Sequence, residues 1–140
     1  MAVVTLEPLL SHQVFRWASG VSALVALAML GLGVAVWLGQ PTLLGSHQAT
    51  GYVFMVTTLI AALSSLSYGR QARKKGLVMH GFSVFGLAVV QFAIGELHWR
   101  PPHIILGILV CIAAVALFTL SLRRPPSVVT AATAPRPHAD

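Results

Sequence analysis

Four long runs of apolar residues, parted by short polar stretches, set the pattern of this chain; they fall at roughly 17–38, 48–68, 77–98 and 103–122. Each comes close to the ~20 residues that a helix rising ~1.5 Å per residue needs to cross a bilayer core. None alternates as a barrel strand does, and backbone polar groups find no water in lipid, so each run is predicted to be a helix. The connections "GQPTLLGS" and "WRPP" are short, as is "RQARKK", which makes consecutive helices antiparallel. The expected fold class is all-α: one four-helix transmembrane bundle, up-down-up-down, occupying residues 1–124.

Composition agrees with that pattern. The chain has 140 residues, 56% of them hydrophobic and 9% charged, far from the balance of a water-soluble domain. A cleaved leader is a poor description of the first run, whose apolar stretch is too long and whose end, "WLGQPT", lacks a small-x-small cleavage site. It is read as an anchor. The tail "RRPPSVVTAATAPRPHAD" is rich in Pro and Ala, and its residues 125–140 are expected to be a disordered cytoplasmic end.

Charge sets the orientation. Arg16 precedes the first run, "RQARKK" joins the second to the third, and Arg123, Arg124 and Arg136 follow the fourth. Only Arg100 lies on the other side. The positive-inside rule then places both termini in the cytoplasm, in what is expected to be a bacterial cytoplasmic membrane. The pI near 10.9 reports this topology, so nucleic acid is not an expected partner. The lipid bilayer is, together with other membrane subunits or a redox partner. Trp17 and Trp37 bracket the first run, 20 residues or ~30 Å of helix apart, as an aromatic belt would. Cys111, the single cysteine, lies within the fourth run and is expected to be a packing residue.

The candidate chemistry lies in the histidines. His47 and His103 open the second and fourth helices on the outer side; His98 closes the third there. His80 stands near the inner end of the third helix, and His12 before the first. Gly51 follows His47 by four residues, and Gly107 follows His103 by four. Residues i and i+4 share a helix face, so each histidine is expected to have an open patch one turn deeper, with room for a porphyrin. The second and fourth helices run parallel and can face each other across the bundle. Two neutral imidazoles at one depth then have the makings of an axial pair on one iron. The plain alternative is packing, since Gly lets membrane helices approach and an interfacial His keeps its tip wet. Gln91, between His80 and His98 on the third helix, is expected to make an interhelical hydrogen bond.

The segment "HQATGYVFMVTTLIAAL" resembles the H-x-x-x-G spans of membrane b-type cytochromes. "GLAVVQFAIGELHWRPPHIILGILVCIAAVALF" is similar to the third and fourth spans of a heme A synthase half. That family pairs axial histidines from the second and fourth helices of a four-helix half, which maps onto His47 and His103. The alternation of His12 and His80 inside with His47 and His103 outside also resembles the diheme core of cytochrome b561. The resemblance implies heme b at the outer face, with a second heme between His12 and His80 as its diheme form. No Arg follows His47, no acidic cluster precedes it and the first loop lacks a cysteine pair, so heme binding is implied and synthase activity is not. The expected function is electron transfer by a b-type cytochrome rather than a stand-alone enzyme. Two alternatives stand beside it: a structural or accessory subunit of a larger membrane complex, and an outer metal site built from His47, His98, His103 and Glu96.

Overall fold

A computed structural model describes residues 7–123 of the chain. Helix α1 spans Glu7–Trp37, α2 Leu44–Gln71, α3 Lys75–Glu96 and α4 Arg100–Ser121. A short 3-10 turn over Pro41–Leu43 precedes α2. All four helices are long and apolar enough to cross a membrane, and no strand occurs among the described residues. The helices pack as a square in which α1 touches α2 and α4, and α3 touches α2 and α4. The parallel pairs α1/α3 and α2/α4 therefore lie on the diagonals.

The packing is inverted relative to a water-soluble bundle. Its interior is built largely from small side chains: Ala23, Ala26, Ala61, Ala62, Ala88 and Ala114 are buried, with Ser19, Ser22, Ser65 and Ser121. Large apolar side chains such as Leu24, Val56, Leu63 and Ile112 point outward. Apolar side chains gain nothing by leaving lipid, so close backbone approach through small residues replaces the hydrophobic driving force. The buried Ser and Thr hydroxyls are satisfied locally, Ser19 donating to the Phe15 carbonyl at 2.8 Å, Thr58 to Phe54 at 2.8 Å and Ser65 to Ala62 at 2.7 Å, whereas the buried Tyr68 hydroxyl has no partner among the described residues. Gly81 lies directly against Ser65, leaving no space for a Cβ between α2 and α3. Cys111 is buried and unpaired among these groups, as a packing residue. The chain is a multi-pass integral membrane protein.

The helix boundaries differ from the expected ones mainly at α1. The helix begins at Glu7, ten residues before the apolar run at 17. The polar stretch "SHQVFR" is helical because Phe15 is wholly buried and His12 packs on Tyr68, ring centroids 4.8 Å apart. Trp17 and Trp37 are each 75% exposed, consistent with paired belts on the lipid-facing surface. The tight 72–74 connection holds Arg73 at φ 52°. One end of the bundle carries this hairpin with Arg16, Arg70, Lys74, Lys75 and Arg123; it is the basic end. The opposite end carries the first loop and the turn at His98, and is the loop-one end. Arg124, Arg136 and the expected disordered tail lie outside the described residues.

Candidate functional site

At the loop-one end the diagonal helices α2 and α4 each present a half-buried histidine, His47 and His103. Their ring centroids are 6.1 Å apart, with the planes 79° to one another. Two imidazoles on opposite sides of one metal, each bonded at ~2 Å, have centroids about 6 Å apart. The observed ring spacing is close to that distance.

The hydrogen bonds fix which nitrogen each ring has available. His47 Nδ1 lies 3.1 Å from the carbonyl of Met29, and His103 Nδ1 lies 3.1 Å from the carbonyl of Gln91. A carbonyl can only accept, so both Nδ1 atoms donate. In the neutral rings both Nε2 atoms then keep their lone pairs, the arrangement that a backbone carbonyl imposes on metal-binding histidine.

Two glycines that the sequence reading did not single out seat these rings. A Cβ at Gly33 on α1 would come within 3.1 Å of His47 Cε1, and one at Gly95 on α3 within 2.8 Å of His103 Cε1. The signal was present as a repeat. "MLGLGVAVW" and "QFAIGELHW" both place Gly four residues before Trp, and the accepting carbonyl four residues before that Gly. Each half of the bundle thus repeats one device: a carbonyl at 29 or 91, a glycine seat at 33 or 95, a tryptophan at 37 or 99, and a histidine from the next helix at 47 or 103.

The deeper faces are occupied rather than open. A Cβ at Gly107 would meet Gln91 Nε2 at 2.7 Å, and one at Gly51 would meet Met29 Sδ at 3.9 Å. Further down, Phe54, Thr58, Val110 and Ala114 are all buried, so these faces line the core. Gln91 is 3% exposed; its Nε2 donates to the His103 carbonyl at 2.7 Å, an interhelical bond of the expected kind that ties α3 to α4. Its Oε1 is buried without a partner. The paired Nε2 atoms are the part of the site that would suit a porphyrin; the orphaned acceptor is not, since an iron porphyrin with ionised propionates has no hydrogen to donate to it. The plate itself requires Met29 and Gln91, both unbranched and flexible, to turn aside.

His12 and His80 do not form a second pair. His12 Nε2 lies 2.9 Å from the Ser121 carbonyl, and His80 Nε2 lies 3.1 Å from the Ala113 carbonyl. Those carbonyls are eight residues apart on α4, about 12 Å along its axis. Both Nε2 atoms are engaged, and the two rings sit at different depths. The last carbonyls of a helix lack intrahelical partners, so His12 acts as a side-chain cap on α4. The outer metal cluster is not assembled either. His98 is exposed in the turn after α3 with φ 59°, and no group of three or more His, Cys, Asp or Glu converges among the described residues.

Comparison with protein-family models, curated proteins and solved structures finds no match to this chain.

Proposed function

We propose that this chain is a membrane b-type heme protein serving electron transfer at its loop-one end, with His47 and His103 as the axial ligands. One observation carries the reading: two imidazoles on diagonal helices, 6.1 Å apart, each with Nδ1 committed to a backbone carbonyl. The repeated seat supports it, because two like halves present equivalent ligands to the two faces of one planar group. A heme bound there supplies one-electron exchange. The protein's part is to hold both rings by Nδ1–H, to seat them at Gly33 and Gly95 and to exclude water from the core. By the placement of the basic residues, the site faces away from the cytoplasm and the termini face into it.

The coverage of Gly51 and Gly107 favours a second reading. In it the bundle is a structural subunit without a cofactor, and the same histidines are ties, His47 joining α2 to α1 and His103 joining α4 to α3. An optical spectrum of the purified protein, oxidised and then reduced, separates the two. The heme reading expects a Soret band that shifts on reduction and is lost in both His47→Ala and His103→Ala with helix content retained. A protein purified from heme-replete cells without that band, or one that keeps it in both variants, refutes the assignment.

A further inference from the structure

A cavity of about 280 Å³ opens at the basic end, far from the histidine pair, lined by Lys74, Gly76, Leu77, Leu120 and Arg123. It lies where the start of α3 meets the end of α4. Its wall is divided by chemistry. Lys74 and Arg123 bring two positive charges; Leu77, which is buried, and Leu120 bring an apolar floor. No acidic side chain lines it. Neither cation has an ion-pair partner among the described residues; of the acids, Glu96 closes α3 at the opposite end and Glu7 opens α1 at this one. Lys74 Nζ sits 6.0 Å from the Tyr68 ring centroid, so that aromatic face holds the ammonium near the crevice rather than neutralising it.

We propose that this crevice binds a phosphate ester, the headgroup of an anionic phospholipid in the leaflet at the basic end. Two cations with no ion-pair partner among the described residues attract an anion to this concave wall. The lysine acts as a compact charge, while the guanidinium fork suits phosphate oxygens. The apolar floor distinguishes an amphiphile from a free ion, because buried Leu77 and partly buried Leu120 offer the ester end of an acyl chain an apolar contact beneath the charged rim. The uncapped first turn of α3 adds a smaller favourable field. A general attraction of basic loops for anionic membranes would instead be spread over Arg70, Arg73 and Lys75 as well.

The test uses the purified full chain in neutral detergent, with lipid binding read by native mass spectrometry. Phosphatidylglycerol is expected to bind about tenfold or more tightly than phosphatidylcholine. Lys74→Gln with Arg123→Gln should abolish that preference. The control pair Arg70→Gln with Arg73→Gln removes the same charge beside the crevice and should leave most of it. Gly76→Leu offers a route independent of charge. Nothing lies within 4 Å of a Cβ at Gly76, so the new side chain fills the mouth without disturbing the helix, and binding should fall several-fold with an unchanged circular dichroism spectrum. Equal affinity for the two lipids overturns the proposal, as does equal loss in the two double variants. Competition by inorganic phosphate at concentrations like those of the lipid also overturns it, showing a free-anion site.

Discussion

At the loop-one end, His47 and His103 donate through Nδ1 to carbonyls of the preceding helix; at the basic end, His12 and His80 donate through Nε2 to carbonyls of α4. The choice of nitrogen decides what remains. A ring held by Nδ1 has its lone pair at Nε2, away from its own backbone and accessible to a metal. A ring held by Nε2 keeps its lone pair at Nδ1, beside its own Cβ. The first pair meets at 6.1 Å; the second is spread over eight residues of α4. The loop-one end also repeats between halves, whereas nothing at the basic end does: the spacing that carries Gly33 to Gly95 carries His12 to Lys74. Histidine count and helix depth alone do not reveal a ligand pair. The hydrogen bond on the second nitrogen shows which nitrogen each ring has left for a ligand role.

The sharpest way to break the comparison is to ask which end faces outward. A cysteine placed at Thr42, in the first loop, should be labelled fully by an impermeant thiol reagent on intact cells. One placed at Arg73, in the basic hairpin, should be labelled only after lysis. Cys111 is buried and stays silent in both. Labelling of the hairpin with a silent first loop would reverse the orientation and move the histidine pair to the cytoplasmic side.

The glycine seats give the next largest effect. Gly95→Ala puts a methyl 2.8 Å from His103 Cε1, and Gly33→Ala puts one 3.1 Å from His47 Cε1. Each ring is held by its Nδ1 bond and cannot retreat freely, so overpacking here should cost about 1–3 kcal/mol. Gly95→Ala should cost the more. Gly31→Ala, where nothing lies within 4 Å, should be neutral or stabilising by about 0.5–1 kcal/mol. Thermal unfolding in detergent gives the ranking. Equal effects at 31, 33 and 95 would show that the seats hold nothing in place.

The fold was legible because lipid imposes so few solutions: an apolar run of sufficient length must be a helix, and short connections fix the order. The α1 boundary was not, since "SHQVFR" looks like an exposed flank until Phe15 and His12 find their places against Tyr68. The histidine pair was legible from depth and helix parity. What the pattern H-x-x-x-G suggested about space was misplaced. It points to Gly51 and Gly107 on the histidines' own helices, whereas the glycines that touch the rings, Gly33 and Gly95, lie on the neighbouring helices. Intrahelical spacing reports which residues share a face and says nothing of what the next helix lays upon it. Gln91 shows the same gap. An interhelical hydrogen bond was expected of it, but not that its partner would be α4 or that its amide would cover Gly107.

The smallest effects belong to the basic-end histidines, and they test the comparison from its other side. His80 Nε2 bonds a carbonyl inside α4, where Ala113 also has its helical partner. His12 caps Ser121 at the helix end and stacks against Tyr68. His80→Leu keeps the volume and gives up one auxiliary hydrogen bond, so it should cost no more than about 1 kcal/mol. His12→Leu removes a side chain that caps the last carbonyl of α4, and should cost more than His80→Leu while staying near that range. Neither should change the ratio of heme to protein, expected near one. A ratio near two in the unaltered chain, falling to one in His80→Leu, would mean that the basic end rearranges to hold a second heme. The carbonyl bonds seen there would then be only what the rings do in its absence.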